Sequence, residues 1–398
     1  MAATAQRLAD WAGGLEPTDA DLALAGRALI DTVAVTVAAR REPIAAVVAG
    51  EHRASQWAAL AHILDFDDLH MESTTHISAV CVPTVLSVGG DARAYLAGAG
   101  VMARIGALLG WPHYAMGWHA TTTAGAPAAA AAAAVALGLN RTRIATAIAL
   151  AVPAAGGVQR SFGTLAKPLQ VGFAAEAGVR AARLAAKGAV ANPAALDQWL
   201  ELMGVDGSAI ALEGPAIPGG LAMKLFPCCY AMQRPIAVVR DMELPAVAPT
   251  SVRSITVRTP QASVHPLVHP VPTTGLESKF SLPYALAVVL LDRDPGFGSF
   301  TDEAVGRPEA QELMSKVVLE TTSGGSWLLD GELEVTLDLV DRSTVVRTLT
   351  MPPGSPARPA SADDLRGKVE RCCPDLVDDV MGLSWPGAAD LLEGQVTH

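Results

Sequence analysis

The apolar and polar positions of the first 222 residues follow helical spacing. Apolar side chains recur every three or four residues, and few segments alternate with a period of two. Helix starts are indicated at Thr18 and Asn192, each beside a proline, while Gly138 and Gly156 end alanine-rich runs. This pattern predicts that residues 1–222 are all-α.

The pattern changes after residue 222. Residues 251–260 and 331–351 are rich in β-branched side chains that alternate with polar ones, as in strands. Residues 352–360 are typical of a linker, and helical spacing returns after them. The sequence therefore predicts a fold that is mainly α with a smaller α+β domain. Its expected segments are a helical domain at 1–222, an α+β domain at 223–355 and a helical segment at 356–398 that packs on the helical domain.

The composition indicates a large core of closely packed helices. The chain has 398 residues, of which 51% are hydrophobic but only 5% aromatic. Alanine and glycine must therefore let the helices approach closely. The alanine-rich tract at 124–139 is shorter than a bilayer span and carries Pro127, so it predicts a buried helix rather than a membrane segment.

Charge and cysteine content limit which binding partners and which cellular compartment are expected for the protein. The formal net charge is −11 at pH 7, with no stripe of basic residues, so we expect neither a nucleic acid nor a membrane partner. The five cysteines are Cys81 and two adjacent pairs, which fit neither a disulfide framework nor a metal site. The N-terminal residues resemble an amphipathic helix rather than a targeting segment, so we expect a cytoplasmic protein with reduced thiols.

Residues 64–79, LDFDDLHMESTTHISA, concentrate titratable groups in a chain that is poor in charge. They include Asp65, Asp67, Asp68, His70 and His76. Charge runs usually face water, and a solvated loop is one interpretation. Apolar segments on both sides favour another, in which the tract lines a cleft between buried helices. There His76 would act as an acid or base, and Asp65 would orient it.

Two further sets of residues could join this cleft. His119 precedes three threonines, including Thr122, at the start of the alanine-rich helix, and such a helix start suits a carboxylate. Lys167 and Lys224 lie in apolar, glycine-bearing surroundings, where an ammonium needs an anionic partner. Structural histidines, and lysines that reach to solvent, are the alternative interpretation. Together the two lysines and two histidines predict a pocket for a di- or tricarboxylate.

Several of these segments resemble the motifs of one protein family. DFDDLHMESTTHISA, GWHATTTAGA, GTLAKPLQVGFAAEAGVRAARLAAKG, KLFPCCYAMQRPI, KFSLPYALAVVLLD and GSPARPASADDLRGKV resemble, in the same order, elements of the MmgE/PrpD family. Its members include 2-methylcitrate dehydratase, cis-aconitate decarboxylase and iminodisuccinate epimerase. The chain departs from the family pattern at Leu69, Ile77 and Gln170, where threonine, proline and histidine are usual.

The resemblance implies a large helical domain built from both termini, a smaller α+β lid, an active site between them and a homodimer. The catalytic set that it implies comprises Asp65, His76, His119, Lys167, Lys224 and Tyr284. We expect substrate-binding roles for Asp68, His70, Thr122 and Gln170. The family chemistry needs no metal, and we expect no cofactor.

The function expected from these features is a cofactor-independent lyase of the dehydratase type. It would move a proton next to a carboxylate of a small di- or tricarboxylate such as 2-methylcitrate. Decarboxylation of the cis-aconitate type and epimerisation use the same groups and stay open, and a non-catalytic carboxylate-binding protein is the alternative of another class. The sequence disfavours terpene-cyclase, iron–sulfur and dinucleotide-binding functions, whose second metal motif, cysteine spacing and strand-following glycine loop it does not contain.

Overall fold

A computed structural model describes residues 2–242, 248–323 and 325–396. Most of these residues are helical, and they include one four-stranded sheet. The predicted fold class, mainly α with a smaller α+β part, is confirmed. The apolar core forms two clusters, one among the helices and one around the sheet.

Ten α-helices lie within residues 2–203. Thr18 caps the second of them, because its side chain accepts a hydrogen bond from the amide of Asp21 while the Asp21 carboxylate accepts from the amide of Thr18. This cap is where the sequence predicts a helix start. The bounds are α1 Thr4–Gly13, α2 Asp19–Ala38, α3 Ile44–Val47, α4 Arg53–Ile63, α5 Ile77–Leu86, α6 Ala92–Ala115, α7 Ala120–Ala136, α8 Arg141–Ala151, α9 Ala166–Ala186 and α10 Ala195–Leu202.

The alanine-rich helix α7 is central to the helical part and contacts α5, α6, α8 and α9. Its residues 124–134 are buried, as predicted for this tract. A Cβ on Gly98 of α6 would lie 2.4 Å from the Cβ of Ala132, and one on Gly178 of α9 would lie 2.3 Å from the Cβ of Ala129. Glycine opposite alanine therefore lets these helices approach closely.

Two of these helices are long and apolar enough to cross a bilayer, judged by length and composition alone. They are α6 and α2, the latter counted as far as Arg41. Within the apolar windows, 78% of the α6 residues and 61% of the α2 residues are buried inside the protein. Packing against neighbouring helices therefore accounts for much of their apolar character.

The α+β part contains the sheet and several helices. Its helices are α11 Tyr230–Arg240, α12 Gly275–Ser278, α13 Leu282–Asp292, α14 Asp302–Val305 and α15 Pro308–Met314. Its strands are β1 Val252–Pro260, β2 Val317–Thr322, β3 Leu333–Leu339 and β4 Thr344–Leu349, in the order β2-β1-β3-β4. β1 runs parallel to β2 and antiparallel to β3, and β3 is antiparallel to β4.

The sequence pattern predicts three of these strands and misses one. Residues 251–260 correspond to β1, and residues 331–351 contain β3 and β4. β2 is an edge strand that is mostly exposed, so its sequence shows no alternation of apolar and polar positions. Periodicity therefore could not reveal it.

Three helices follow the sheet: α16 Ala362–Cys372, α17 Val377–Met381 and α18 Trp385–Val396. α16 and α18 contact α2, near the start of the chain. Lys368 of α16 pairs with Asp31 of α2, with 2.6 Å between Nζ and Oδ1, and both side chains are buried. An ion pair in the interior restricts how two helices fit together, since either charge alone would be costly to bury.

Candidate active site

Residues 64–76 form a buried turn between α4 and α5. Its aspartates and histidines, Asp65, Asp67, Asp68, His70 and His76, are each at most 9% exposed. Asp65 has a φ of 52°, a left-handed conformation that aspartate adopts more readily than most residues. Because these groups lie in the interior, the solvated-loop interpretation of this tract is wrong.

Four lysines bind this turn, although the chain has only six. Lys279 donates to the carbonyl oxygen of residue 64 at 3.0 Å, Lys224 to that of residue 65 at 2.9 Å and Lys368 to that of residue 66 at 2.6 Å. Lys167 of α9 contacts the side chain of Asp65. All four are buried. Lysines from four separate parts of the chain therefore meet at one turn.

The carboxylate of Asp65 lies between two ammonium groups. Its Oδ2 accepts from Lys167 Nζ at 3.0 Å, and its Oδ1 contacts Lys224 Nζ. Burial raises the pKa of the Asp65 carboxyl, but Lys167 and Lys224 outweigh burial and hold this pKa far below its usual range. Burial acts to lower the pKa of Lys224, and the carboxylates of Asp65 and Asp67 raise it above its ordinary value. Asp65 is therefore an anion at neutral pH, and Lys224 is a cation.

His62 of α4 connects this ion cluster to Asp67. Its Nε2 lies 2.7 Å from Lys167 Nζ, and its Nδ1 lies 2.7 Å from Asp67 Oδ2. The ammonium of Lys167 can only donate, so Nε2 accepts and the proton of the neutral ring is on Nδ1, directed at Asp67. His76 Nδ1 lies 3.0 Å from the same Asp67 oxygen. The Asp67 carboxylate therefore hydrogen-bonds to His62 and lies in electrostatic contact with His76, whose Nδ1 has no hydrogen-bond partner among the described residues.

Three imidazoles are adjacent at this point. The ring centroids of His62 and His76 are 4.6 Å apart, and those of His62 and His119 are 5.8 Å apart. His119 Nδ1 lies 3.2 Å from Gln170 Oε1. Its Nε2 is buried and has no hydrogen-bond partner among the residues that the structure describes. This nitrogen is therefore free to act on a bound molecule.

Burial determines the charge of these rings. Burial lowers the pKa of all three histidines. The pKa of His62 lies below its ordinary value, the pKa of His76 falls to about 3, and the pKa of His119 lies well below its ordinary value. Burial raises the pKa of Asp67, but the neighbouring imidazoles outweigh it, and this pKa lies well below the usual range. At neutral pH the rings are neutral and Asp67 is ionised. An anion placed beside the rings would raise their pKa, because a negative charge stabilises imidazolium.

The space beside the cluster is small. A cavity of about 10 Å³ adjoins Asp65, Lys167 and Phe280, which is room for roughly one water molecule. The rings of Phe162 and Phe280 stack with their centroids 5.2 Å apart, and Lys167 Nζ lies 5.4 and 5.2 Å from those centroids. A carboxylate substrate must therefore displace groups that cover the cluster.

Comparison with known proteins identifies the family of the chain. Residues 51–203 match the MmgE/PrpD N-terminal domain, and residues 226–381 match the MmgE/PrpD C-terminal domain. The chain belongs to the MmgE/PrpD family. The two matches contain the buried turn, the three histidines and Lys167, whereas Lys224 lies between them.

Two curated relatives of this MmgE/PrpD chain carry the same name. Cis-aconitate decarboxylase of Mus musculus is 27% identical over 252 residues, which is 58% of this chain and 51% of the relative. Cis-aconitate decarboxylase of Homo sapiens is 30% identical over 188 residues, which is 43% of this chain and 38% of the relative. The matched regions span about half the length of these relatives or less.

The five central residues that the sequence nominates come together in this MmgE/PrpD protein. Lys224 and Lys167 both contact Asp65, and Lys167 also contacts His62. His62 and His76 both contact Asp67. His119 stacks on His62. The expected convergence of Asp65, His76, His119, Lys167 and Lys224 is therefore present in the fold.

Tyr284 is not part of this network. Its hydroxyl donates to the carbonyl oxygen of Ser299, and its ring packs against Phe300 with 5.9 Å between the centroids. Tyr284 lies on α13 within the core around the sheet, where it is fully buried. Its nomination as a catalytic residue is not supported by these contacts, because a hydroxyl held by a backbone carbonyl in the apolar core stabilises the fold.

The residues expected to bind substrate use their polar atoms inside the protein. His70 binds Ser73 at 2.7 Å and the carbonyl oxygen of Pro218 at 2.5 Å, so both ring nitrogens are occupied. Thr122 donates to backbone carbonyl oxygens, and Gln170 holds His119. Asp68 accepts from Ser78 and lines a separate cavity of about 270 Å³ with Arg27, Asp31 and Met223. These contacts indicate supporting roles for the four residues.

Sequence reasoning missed three residues of the cluster. His62 lies three positions before Asp65, in the apolar segment that precedes the tract at 64–79. Lys279 and Lys368 lie in KFSLPYAL and LRGKV, segments that carry the family resemblance. Burial lowers the pKa of Lys279 to about 8, and this side chain also lines the small cavity. For Lys279 and Lys368 the available signal in the sequence was the scarcity of lysine, because a chain with six lysines offers few other candidates to bind the turn.

The cluster also has the composition of a metal site. Ligand atoms of His62, Asp67 and His76 lie within 4.8 Å of one another, and two imidazoles with one carboxylate suit a divalent transition metal. The contact between Lys167 and His62 argues against this use, because it leaves the proton of His62 on the nitrogen that would bind the metal. The three groups fit a hydrogen-bond network better.

Mild acid is expected to destabilise the protein. Burial lowers the pKa values of five histidines below 6.5, so the folded protein keeps them neutral where the unfolded chain is protonated; they are His62, His70, His76, His113 and His119. Each excess proton on the unfolded chain lowers the free energy of unfolding by about 1.4 kcal/mol for each pH unit below 6.5.

Two carboxyls act in the opposite direction. Burial raises the pKa of Asp68 to about 7 and raises that of Asp31, so the folded protein takes up these protons earlier than the unfolded chain. The histidines outnumber these carboxyls, and stability should fall between pH 6.5 and 5. Urea unfolding followed by circular dichroism at pH 7.5, 6 and 5 measures this fall. A constant free energy of unfolding over that range would contradict neutral buried histidines.

Proposed function

We propose that the protein is a cofactor-independent lyase that acts on a small di- or tricarboxylate through proton transfer at the carbon next to a carboxylate. The observation that supports this most is the cluster of three buried, neutral imidazoles beside three lysines and two fully ionised carboxylates. Imidazoles can move protons near neutral pH, and ammonium groups can hold carboxylates.

The charge of the cluster favours an anionic substrate. Lys167, Lys224 and Lys279 approach the turn around Asp65, while Asp65 and Asp67 are the carboxylates of the same cluster. Burial raises the pKa of the third carboxyl of the turn, Asp68, to about 7, and Lys368 is paired with Asp31. The ammonium groups therefore exceed the fully ionised carboxylates by one where the lysines are protonated. An incoming carboxylate would balance this excess in surroundings from which water is largely excluded.

Binding of such an anion would also prepare the histidines. A substrate carboxylate near His76 raises the pKa of this imidazole, which burial otherwise holds at about 3. His76 then becomes able to carry a proton and to deliver it to carbon. His119 Nε2, which has no hydrogen-bond partner in the described part of the chain, can accept a proton. The two rings can therefore act as acid and base, and each positioned group contributes roughly 10²–10⁴-fold to the rate.

Decarboxylation is the first reaction to test, because both curated relatives are named cis-aconitate decarboxylase. The bond between a carboxylate carbon and its neighbour breaks, CO₂ leaves, and the electron pair that stays on carbon takes a proton from an imidazolium. Dehydration of a hydroxy acid such as 2-methylcitrate uses the same groups. There an imidazole removes the proton next to a carboxylate, and the hydroxyl leaves as water after protonation.

The homodimeric state and the cytoplasmic location are part of the same proposal. The homodimer is implied by the family resemblance, and the location rests on the five cysteines, whose spacing fits reduced thiols. Sedimentation of the purified protein tests the first, and fractionation of the source cells tests the second.

NMR in deuterated water tests the reaction. The protein is incubated separately with cis-aconitate, 2-methylcitrate, citrate and iminodisuccinate. A Lys187→Met variant, changed at an exposed lysine outside the cluster, is treated in the same way and should behave like the unsubstituted protein. We expect release of CO₂ from cis-aconitate, with one deuteron bound to carbon in the product. New alkene signals from a hydroxy acid would indicate a dehydratase, and exchange without net conversion an epimerase. No change in any of the four would contradict the proposed lyase function.

A further inference from the structure

The side-chain amide of Gln170 on α9 has a fixed orientation. Its Oε1 lies 3.1 Å from the backbone nitrogen of Val158, which can only donate, and its Nε2 lies 2.5 Å from Ser161 Oγ. The end of the amide that faces Val158 must therefore be the oxygen. The same oxygen lies 3.2 Å from His119 Nδ1.

This orientation determines the tautomer of His119. An amide oxygen only accepts, so the proton of the neutral imidazole is on Nδ1, and Nε2 keeps its lone pair. His119 Nε2 is buried and has no partner among the described residues. The ring is therefore held in the one neutral form in which this inner nitrogen can take a proton.

The groups that fix Gln170 belong to a loop that covers the site. Residues 155–164, called the covering loop below, supply Val158 and Ser161 to the amide. The loop also supplies Phe162, whose ring centroid lies 5.2 Å from that of His119 and 5.2 Å from that of Phe280. The cavity beneath is about 10 Å³, so a substrate can enter only when covering groups move.

The loop backbone comes unusually close to Gln170 and the start of α7. Gly157 has a φ of 112°, and a Cβ at this position would lie 2.1 Å from Thr122 Oγ1 and 2.6 Å from Gln170 Oε1. The carbonyl oxygen of Gly157 accepts from the backbone nitrogen of His119 at 3.1 Å. The closed loop is therefore in direct contact with both Gln170 and the backbone of His119, so the position of the loop and the orientation of His119 depend on each other.

We propose that Gln170 is a positioning residue that keeps His119 in the Nδ1–H form, and that it does so only while the covering loop is closed. Opening the loop removes the Val158 and Ser161 contacts, the amide is then free to rotate, and either tautomer of His119 becomes available. Closing the loop over a substrate restores the proton-accepting form. This inference rests on the proposed function for its meaning in catalysis, but the tautomer itself does not depend on any reaction.

Tautomer-sensitive ¹⁵N NMR of the full-length protein, labelled at histidine, tests the inference without substrate. The His119 signals are identified by their loss in His119→Gln. In the unsubstituted protein we expect the Nδ1–H form alone. In Gln170→Leu, which removes the acceptor, we expect a mixture that includes the Nε2–H form. Gln170→Glu keeps an oxygen facing Val158 and His119, so Nδ1 should keep its proton; because the added charge raises the pKa of His119, this variant is measured at a pH high enough to keep the ring neutral.

Kinetics give the second readout. With the substrate that the protein converts, Gln170→Leu should lower kcat by roughly 10- to 100-fold, a part of what a positioned base contributes, and change KM less than about threefold. Gln170→Glu should retain more activity than the leucine variant, and Gln395→Leu, at an exposed position, should match the unsubstituted protein.

Two results would overturn the inference. One is an Nε2–H form of His119 in the unsubstituted protein. The other is an unchanged tautomer in a folded Gln170→Leu protein. If Gln170→Leu does not fold, the unsubstituted protein and Gln170→Glu still decide, because the neutral ring of His119 must carry its proton on Nδ1 in both. If His119 has the expected tautomer but the protein turns over no carboxylate, the proposed function is contradicted and the positioning role of Gln170 still holds.

Discussion

Replacement of His76 by glutamine is expected to lower turnover by roughly 10²–10⁴-fold while the protein stays folded. The reason is that His76 is the imidazole that shares Asp67 with His62, at 3.0 Å, and adjoins the lysine cluster. Glutamine can occupy a similar volume and keep a polar contact with Asp67, but it cannot carry a proton at neutral pH.

The measurement is kcat with the substrate found by NMR, accompanied by circular dichroism. His52→Gln is the matched control, since His52 caps α4 through the amide of Ala54 and lies outside the cluster. Calorimetric binding of the same carboxylate to His76→Gln and Lys224→Met separates an enzyme from a binding protein. A binding protein would keep its affinity in the histidine variant and lose it in the lysine variant. Full turnover in His76→Gln would remove this residue from the mechanism.

Replacement of Asp65 by asparagine is expected to lower the free energy of unfolding by about 3–5 kcal/mol, the cost of breaking a buried ion pair by removing one partner. Asparagine has nearly the same shape and tolerates the left-handed φ of 52° at this position. The change therefore removes the negative charge without disturbing the turn. It leaves the ammonium groups of Lys167 and Lys224 without the carboxylate that they share.

Urea unfolding of the two proteins at pH 7.5 measures this difference. Asp10→Asn supplies the same chemical change at an exposed position and should alter stability by less than about 0.5 kcal/mol. Combining Asp65→Asn with Lys167→Met should restore part of the loss, because one of the unpaired charges is then gone. A cost below about 1 kcal/mol for Asp65→Asn would mean that its charge does not hold the lysines.

Much of the fold could be predicted because the relevant patterns are local. Thr18 marks a cap, the tract at 124–139 is too rich in alanine to be anything but a helix, and the alternation at 251–260 is that of a half-buried strand. β2 escaped prediction because its sequence, VVLETT, groups its apolar residues at one end, whereas the equally exposed edge strand β4 adjoins β3 in one β-branched stretch. Patterns along the chain therefore reveal most clearly those helices and strands that have one buried face and one exposed face.

The candidate site was predictable in part for a different reason. Histidine, aspartate and lysine are costly to bury, so their presence in apolar segments indicated Asp65, His76, His119, Lys167 and Lys224. The sequence could not show that Tyr284 bonds to a backbone carbonyl oxygen, or that Lys279 and Lys368 reach the turn from positions more than 200 residues away. Such contacts depend on tertiary packing, which spacing along the chain does not encode.

The departures from the family pattern acquire a physical meaning in this fold. Leu69 is buried in the core around the sheet, and its backbone pairs with Ala222. Gln170 supplies its oxygen to His119. The first change replaces a polar group with apolar packing, and the second keeps a hydrogen-bonding group beside His119.

The four lysines that meet at residues 64–66 have a consequence for synthesis of the protein. The last of them, Lys368, lies in the final tenth of the chain. On the ribosome, the acidic turn is therefore made more than 300 residues before this ammonium group. Until that later segment is made, the carbonyl oxygen of residue 66 lacks its hydrogen bond from Lys368 and Asp31 lacks its ion pair, so a nascent polypeptide cannot complete the contacts of this turn.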